Sequence, residues 1–419
     1  MAPSGGQGKV GELTKRSKVI AWASLAVVAT MLLGACPLVG ADDDEPRPVI
    51  VVFKDKVDKK LITDAGGEID IEFSTLPAVA TELKPKAIDE LKKSSKVKRI
   101  EDDSTVYALG EDEGKGGGGG KPPPQGQTMP WGITQINADD AWADTKGTAV
   151  KVAIVDTGID KDHPDLEANI KGGANFVPSR RGTVDSTKWD DDHGHGTHCA
   201  GIVAAIDNTI GVIGVAPEVN LYGVKVLDSG GRGQVTWLYA GIEWCIANDI
   251  DVISMSIGGW PWSQTMEDTF DAAYEAGIVM VAAAGNSGGT SGGDTVIYPA
   301  KLDCVIAVAA TDSSNVRAYF SSVGPDLELS APGVSVYSTY YRGKYTTMSG
   351  TSMACPHVAG TIALLLIMTP SYYDEGWGLT WEPNEVRARL QGTTFDLGAD
   401  GWDDLYGHGL VDALAAITV

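Results

Sequence analysis

Three segments of the sequence carry residues that together could activate a hydroxyl nucleophile. Asp156 closes the apolar run AVKVAIVD, His195 lies in HGHGTHCAG, and Ser352 lies in GTSMACPHVAG. A serine hydroxyl becomes nucleophilic when a neighbouring imidazole takes its proton and a carboxylate orients that imidazole. Gly350 and Thr351 precede an apolar helix, so Ser352 is predicted at a helix N-terminus, where free backbone N–H groups can face an oxyanion. The sequence therefore predicts nucleophilic catalysis.

A metal site is the main alternative, because WDDDHGHGTHCAGI brings His193, His195 and His198 within six positions. HGHGTH begins like the His-x-His of metallohydrolases, but Thr197 stands where those sites continue with aspartate, and the chain has no HExxH. We therefore favour one catalytic imidazole over a metal cage. We expect the aspartates at 190–192 and His193 to lie in a solvated loop. An α/β-hydrolase is disfavoured, because the serine segment is not G-x-S-x-G.

The elements that must position these residues alternate along the chain from residue 129 onward. Apolar runs such as NLYGVKVLD, DVISMSIGG, IVMVAAAGN and CVIAVAATD end in polar or glycine residues, and helical stretches such as VTWLYAGIEWCIAND lie between them. Near-continuous apolar strands with helical crossovers predict an α/β fold whose parallel sheet is covered on both faces. Ligands bind at the carboxyl ends of such strands, where Asp156 and the segments 256–259 and 285–286 fall.

Three further segments precede this domain, which we place at 128–419. Residues 46–109 read as β-α-β-β-α-β, the split ferredoxin-like α+β order, with the first helix expected at 57–65. Residues 110–127 contain five consecutive glycines and three consecutive prolines, which is typical of a flexible linker and a processing region.

Residues 1–41 read as an export signal, because four basic residues precede an uncharged run from 19 to 41. LGAC, at 33–36, resembles a prokaryotic lipobox with Cys36 as the lipidated residue. Ordinary cleavage after Ala41 and an uncleaved signal anchor are the alternatives. All three readings place the rest of the chain outside the cytoplasm, either secreted or in the cell envelope.

The composition restricts the partners. A formal net charge of −23 excludes binding to a nucleic-acid backbone, which requires a positive surface. Besides Cys36 there are four cysteines, at 199, 245, 304 and 355. Their spacing leaves both free buried thiols and all three possible pairings open.

At these motifs the chain resembles the subtilisin-like serine proteases, or subtilases. VAIVDTGID, HGHGTHCAG, AAAGNSG and GTSMACPHVAG look like the four signature segments of that family, and the similarity extends over residues 127–419. Residues 46–109 resemble its inhibitory propeptide, which is an intramolecular chaperone. GQTMPWGI and the ending VYALG are most similar to archaeal and thermophile-type members, and Cys199 is shared with proteinase K-like members.

The resemblance implies roles for individual residues. Ser352 attacks the scissile carbonyl, His195 moves the proton, Asp156 orients the imidazole, and Asn286 donates to the oxyanion together with the Ser352 backbone N–H. Substrate is expected to add as a strand between 231–233 and 256–258. The substrate-binding residues implied are Gly231, Gly233, Ser256, Ile257, Gly258, Ala283, Ala284 and Gly285. Ile297 takes the place of a glycine at the pocket floor, which implies a shallow, neutral pocket for small to medium apolar side chains.

Structural calcium is the cofactor that the resemblance implies, because AAIDNTIGVIGVAP resembles the family's calcium loop. The matching ligands are the side chains of Gln127, Asp165 and Asn208 and the carbonyl oxygens of Ile206, Ile210 and Val212. Such an all-oxygen set suits Ca²⁺ rather than zinc. Asp326 and Glu328 match a weaker cation site, with an exposed acidic pair as the alternative.

The partners expected are protein or peptide substrates and the chain's own propeptide, with membrane contact only through the N-terminal signal or lipid, and the enzyme is expected to be a monomer. We expect self-cleavage between Leu109 and Gly110, or nearby in the linker. The alternative from another functional class is a catalytically inert binding protein that retains the subtilase fold.

Overall fold

The computed structural model describes residues 45–112, 120–122, 124, 126–179, 182–259, 261–289, 293–368 and 381–418. Residues 46–419 belong to one compact unit. The segment 1–41, with Cys36, and part of the linker at 110–127 lie outside the described residues. Within the described part, no helix is both long and apolar enough to cross a bilayer.

The first elements, in chain order, are β1 (Arg47–Phe53), α1 (Lys59–Asp64), β2 (Ile69–Glu72), β3 (Ala78–Leu83), α2 (Pro85–Leu91), β4 (Val97–Asp102), β5 (Thr105–Ala108) and β6 (Glu111–Asp112). They are followed by α3 (Trp131–Gln135), α4 (Ala138–Ala141), β7 (Lys151–Asp156), β8 (Ile170–Asn175), α5 (His195–Ala204), β9 (Asn220–Lys225), β10 (Arg232–Gln234), α6 (Val235–Ala247), β11 (Val252–Met255), β12 (Ile257–Gly258), α7 (Gln264–Glu275), β13 (Val279–Ala283), β14 (Val305–Thr311), β15 (Leu329–Pro332), β16 (Val336–Tyr340), β17 (Lys344–Ser349), α8 (Thr351–Ile367), α9 (Pro383–Gly392) and α10 (Ala413–Ile417).

The centre of the described structure is a seven-stranded sheet with the order β15-β14-β13-β11-β7-β9-β8. All of its pairings are parallel. Alternate residues of β7 face opposite layers: Val152 and Ile154 join a core with α5 and α8, whereas Ala153 and Val155 join a core with α6 and α7. Because both faces are covered, the inner strands β13 and β14 are buried along their whole length. The predicted α/β fold class is confirmed.

Residues 47–102, here called the N-terminal lobe, form a four-stranded antiparallel sheet with the order β2-β3-β1-β4. The predicted β-α-β-β-α-β order is present, with the first helix at Lys59–Asp64. Val49, Val51 and Phe53 pack in the lobe's own core, while Ile50 and Val52 pack in the core that contains α6 and α7. The lobe is therefore seated on these two helices through one face of its sheet.

Charged and polar contacts fix the lobe on the two helices. Glu243 of α6 accepts hydrogen bonds from the backbone N–H groups of Ser74 and Thr75 at 2.7–2.9 Å and from the Thr75 hydroxyl at 2.6 Å. Arg99 donates to Asp268 of α7 at 2.8 Å. Asp103 accepts from the Thr236 N–H at 3.1 Å and hydroxyl at 2.7 Å, at the N-terminus of α6, where a carboxylate is stabilised by free N–H groups.

The end of the predicted α+β unit differs from expectation. The last strand of the predicted β-α-β-β-α-β unit does not continue to residue 109: β4 ends at Asp102, and β5 leaves the lobe to pair with β10 and β12 of the large domain. The chain turns at Asp103, whose side chain is held by α6. This turn delivers the residues before the linker to the carboxyl end of the central sheet.

All four cysteines at 199, 245, 304 and 355 are free thiols, and three of them are buried. Of the alternatives left open by the sequence, free thiols and three disulfide pairings, the structure shows free thiols. Burial raises the pKa of Cys304 to about 12 and that of Cys355 to about 12, so these thiols stay protonated at neutral pH.

Candidate active site and cation loop

Asp156 and His195 meet at the carboxyl end of β7. Asp156 is the last residue of that strand and His195 is the first of α5. The imidazole Nδ1 lies 2.8 and 2.9 Å from the two carboxylate oxygens of Asp156. Burial alone would lower the pKa of His195, but the adjacent Asp156 carboxylate, which accepts its hydrogen bond, raises the pKa above its ordinary value. The pair is arranged so that Nε2 is free to exchange a proton.

Asp191 supports this histidine from the N-terminus of α5, and the sequence analysis missed it. Its carboxylate accepts from the N–H groups of His193, Gly194 and Thr197 at 2.9–3.0 Å and from the Thr197 hydroxyl at 2.6 Å. The expectation of a solvated loop is wrong for Asp191, which is buried. The N-cap residue of α5 is Gly194, and Asp191 lies three residues before it, outside the position that capping preferences identify from sequence.

Ser352 lies in the first turn of α8, as its glycine-flanked segment predicts. Its backbone carbonyl accepts from the Ser256 hydroxyl at 2.8 Å and from the Cys199 thiol at 3.5 Å. These two bonds join α8 to α5 and to the residue between β11 and β12. Its own hydroxyl donates to the Ser256 carbonyl at 3.2 Å. Among the described residues, His195 Nε2 has no hydrogen-bond partner, and the Ser352 hydroxyl is turned to the Ser256 carbonyl rather than to this nitrogen.

Asn286 is held with its amide N–H directed into the site. Its side-chain oxygen accepts from the Thr351 backbone N–H at 3.0 Å and hydroxyl at 2.9 Å, which leaves the amide nitrogen as a donor. That nitrogen donates to the carbonyl oxygen of Leu109. Gly110, the next residue, lies against the histidine, because a Cβ placed on it would be 2.9 Å from His195 Nε2. The Leu109–Gly110 peptide bond therefore lies between the amide donor and the imidazole.

The chain before this bond is bound as an extended strand with both of its edges paired. β5 pairs antiparallel with β10 on one side and with β12 on the other. Additional bonds run from Ala108 N–H to Gly231 O at 3.0 Å and from Leu109 N–H to Ser256 O at 3.2 Å. Gly233 has to be a glycine, because a Cβ there would collide with the Val226 carbonyl. The structure thus brings the segments 231–233 and 256–258 to the two sides of one extended chain.

The substrate-binding residues implied by the resemblance include two groups, Ser256 to Gly258 and Ala283 to Gly285, and Ile297 contacts both groups. Ala283 and Ala284 are fully buried at the end of β13. Ile297 fills the space between these two groups: its Cδ1 is 2.7 Å from where a Cβ on Gly258 would stand, and its Cγ1 is 3.1 Å from the matching point on Gly285. A branched aliphatic side chain thus occupies the floor, where a glycine would leave the pocket open.

The three clustered histidines do not converge on one point. His198 is buried, and its Nε2 lies 3.1 Å from the carbonyl oxygen of Val336, at the start of β16. His193 lies beside Gly231 at the strand edge. Asp156, His195 and Cys199 are grouped closely enough to contact one ion, but burial raises the pKa of Cys199 well above its ordinary value. The arrangement favours the imidazole base over a histidine metal cage.

Gln127 and Asp165, two of the residues expected to bind calcium, lie against the loop at 206–212 that carries the other four. Asp165 is buried, and its carboxylate accepts from the Asn208 side-chain amide at 2.7 Å and from the Val212 N–H at 2.8 Å. The side-chain NH2 group of Gln127 donates to the carbonyl oxygens of Ile206 and Val212 at 2.6 and 3.0 Å, so these two oxygens face the same point. The side-chain oxygen of Asn208 accepts from the Ile210 N–H at 2.7 Å.

Burial raises the pKa of Asp165, because desolvation outweighs its neutral hydrogen-bond donors. A buried carboxylate beside converging carbonyl oxygens fits a hard cation. The second cation site, expected at Asp326 and Glu328, is not favoured. Both carboxylates already have a positive partner: Glu328 is paired with Arg387, and Asp326 lies 3.8 Å from Lys301.

Comparisons with known proteins agree with this geometry. Residues 147–409 match the model of the subtilase family, which is a peptidase family. The chain is 44% identical over 359 residues to subtilisin NAT of Bacillus subtilis subsp. natto, which covers 85% of each protein.

Two further relatives share the same likeness. The chain is 50% identical over 291 residues to subtilisin DY of Bacillus licheniformis, covering 69% of this chain and 99% of the relative. It is 40% identical over 376 residues to the thermostable alkaline protease of Halalkalibacterium halodurans, covering 89% and 92%. A closer likeness to archaeal enzymes stays a prediction. The chain belongs to the subtilase family and is a serine endopeptidase.

Proposed function

We propose that this chain is the precursor of an exported serine endopeptidase whose triad is Asp156, His195 and Ser352. The observation that carries the proposal is the position of the Leu109–Gly110 bond, with its carbonyl on Asn286 and its glycine against His195 Nε2. A peptide bond held in this way is a substrate of the site.

The first half of the reaction follows from the arrangement. The Ser352 Oγ attacks the carbonyl carbon while its proton moves to His195 Nε2, and the Asp156 carboxylate stabilises the imidazolium through Nδ1. The Asn286 amide and the Ser352 backbone N–H stabilise the negative charge that develops on the carbonyl oxygen. His195 then gives its proton to the leaving nitrogen, that of Gly110 in the precursor, as the C–N bond breaks.

The second half releases the acyl group. Water enters where the amine left, His195 takes one of its protons, and the resulting hydroxide attacks the ester carbonyl. The same donors stabilise the second oxyanion, and the proton returns to the Ser352 oxygen. The products are a carboxylate on Leu109 and a regenerated enzyme.

We assign residues 46–109 to an inhibitory propeptide that is cut after Leu109. Its strand β5 pairs with both edges of the cleft, so it competes with any other peptide chain. The contacts of Glu243 and Asp103 at α6 support retention of the lobe after cleavage. Activity then appears when the lobe dissociates or is degraded. We expect the enzyme to act as a monomer on protein and peptide substrates.

We assign a shallow, neutral pocket for the residue before the cleaved bond. Ile297 occupies its floor between Gly258 and Gly285, which favours small to medium apolar side chains. Leu109 is consistent with this preference. A set of peptides that differ only at this residue tests the assignment, and a preference for a charged side chain would contradict it.

A structural calcium ion is assigned to the site where the loop at 206–212 meets two other segments, with Gln127, Asp165, Ile206, Asn208, Ile210 and Val212 as its ligands. The positive charge of the ion would neutralise the buried Asp165 carboxylate, and its oxygen ligands would fix the loop at 206–212 against the segment that begins at Gln127. When bound, the ion supplies stability and takes no part in the chemistry. Excess EDTA is expected to lower the thermal unfolding midpoint.

Export is assigned from the N-terminal segment, with lipidation at Cys36 or ordinary signal cleavage. Any lipid would lie upstream of Leu109, so the proposed cut would release the mature enzyme from its anchor. Mass spectrometry of the precursor tests for the lipid.

The proposal is tested by expressing the full chain together with a Ser352→Ala variant. We expect the wild-type chain to yield a mature N-terminus at or near Gly110 and to react with a serine-directed fluorophosphonate, whereas Ser352→Ala stays uncut and unlabelled. Labelling that survives the substitution would contradict the assigned nucleophile. An unlabelled, folded wild-type chain would favour the inert binding protein.

A further inference from the structure

His193 lies beside the peptide-binding cleft, not in a solvated loop. A Cβ placed on Gly231, at the edge of the cleft, would be 3.3 Å from His193 Nε2 and 3.5 Å from the Cβ of Ala108. The imidazole and the Ala108 methyl group therefore face the same small space. Ala108 immediately precedes Leu109, so this space belongs to the second residue before the cleaved bond, the P2 residue of a substrate.

The hydrogen bonding of His193 determines which of its nitrogens carries the proton. The backbone N–H of His195 donates to His193 Nδ1 at 3.3 Å, so Nδ1 acts as an acceptor. In the neutral imidazole the proton is then on Nε2, which is the nitrogen that faces the cleft. Burial, and then the nearby His195, lower the pKa of His193, which keeps the ring neutral at neutral pH. The ring thus presents a neutral N–H donor.

This donor is available to a substrate. None of the hydrogen bonds between described residues uses His193 Nε2, and the side chain is partly exposed. The methyl group of Ala108 carries no acceptor, so the chain's own strand does not satisfy it. A bound substrate that excludes water from the cleft has to supply an acceptor or leave the N–H unsatisfied, which is unfavourable.

We propose that His193 selects the P2 residue of substrates and favours side chains that present a hydrogen-bond acceptor, asparagine above all, over leucine of similar size. This inference rests on the proposed protease function. Asparagine is preferred to aspartate, because the negative charges of Asp156 and Asp191 lie close enough to act on the ring and disfavour a third carboxylate beside it. One neutral hydrogen bond in a partly exposed cleft is expected to give about a threefold to tenfold preference in kcat/KM.

The test uses mature enzyme and three peptides that are identical except for asparagine, leucine or aspartate at P2. The readout is the ratio of kcat/KM values, which cancels losses common to all three peptides. We expect the Asn/Leu ratio to be about 3 to 10 in the wild type, as for one neutral hydrogen bond. It should fall to about 1 in His193→Leu and be largely restored in His193→Gln, which again presents an amide N–H.

A wild-type ratio of 1 or below would overturn the inference. A His193→Leu enzyme that loses activity equally on all three peptides would also overturn it, because His193 would then only support His195. Failure of the wild type to cleave any peptide or to react with the fluorophosphonate would instead refute the protease assignment, and this inference with it.

Discussion

Replacing Ile297 by glycine should convert the specificity pocket from shallow to deep. Ile297 is wedged between Gly258 and Gly285, with its Cδ1 2.7 Å and its Cγ1 3.1 Å from where their Cβ atoms would stand. Removal of the side chain opens a slot between two glycine walls, which is wide enough for a flat ring. We therefore expect Ile297→Gly to accept phenylalanine as the residue before the cleaved bond.

The magnitude follows from the apolar area that the ring would bury. A phenyl ring that loses about 100 Å² of exposed area gains about 2.5 kcal/mol, or roughly 70-fold in kcat/KM relative to alanine. The loss of isoleucine packing costs about 2 kcal/mol of folding stability, less than for a fully buried residue, since Ile297 is only partly buried. Ile297→Val, which removes one methyl group, is the graded control.

The assay compares the Phe/Ala ratio of kcat/KM for peptides that differ only at this residue, in wild type, Ile297→Val and Ile297→Gly. The ratio should rise in that order. A variant that folds normally and reacts fully with the fluorophosphonate, but keeps the wild-type ratio, would refute the view that Ile297 limits the depth of the pocket.

The remaining predictions concern inhibition, calcium and pH. Glu243→Ala removes the acceptor of three hydrogen bonds from the N-terminal lobe, so the propeptide should inhibit the mature variant about 10- to 100-fold more weakly in slow-binding assays; unchanged inhibition would contradict the assigned contact. Calcium should raise the thermal unfolding midpoint of the uncut Ser352→Ala precursor, because the loop at 206–212 is already assembled there. Asp165→Ala should abolish that rise. Asp207→Ala, which changes a residue of the same loop that is not an expected ligand, serves as the control. Because the Asp156 carboxylate raises the pKa of His195, kcat/KM should fall as the pH drops through that pKa. Asp156→Asn should move this acid limb to lower pH and reduce turnover by about 10⁴-fold, and an unmoved limb would show that another group titrates.

The order of elements could be predicted because it depends on local patterns. Fully apolar runs such as β7, ending at Asp156, indicate strands buried on both faces, and the helical stretches between them indicate crossovers. Asp156 and Asn286 lie at or just beyond the ends of two such runs, so their position at one edge of the sheet follows from the parallel topology, whereas His195 and Ser352 lie at the starts of helices. The pairing of β5 could not be predicted in the same way, because its partners lie more than a hundred residues further along the chain.

Other features depend on exact side-chain directions, which spacing does not define. Asp191 and His193 are two residues apart in one loop, yet the first is a buried helix cap and the second faces the cleft. A run of three aspartates indicates a solvated surface by composition alone. Only the start of α5 at His195 determines which of these side chains turns inward.

In the precursor, the strand β5 has hydrogen bonds along both of its edges. A protein that the mature enzyme digests has to take the place of β5, and this restricts which proteins it can digest. A substrate has to present about four residues of extended chain with neither edge already paired. Folded proteins rarely do so, because their strands are paired with neighbours or covered by other elements. The rate at which a folded protein is destroyed therefore follows the fraction of time that it spends locally open. Molecules of the enzyme are also potential substrates of one another. The free energy of local opening of the mature fold therefore also determines how long the enzyme survives.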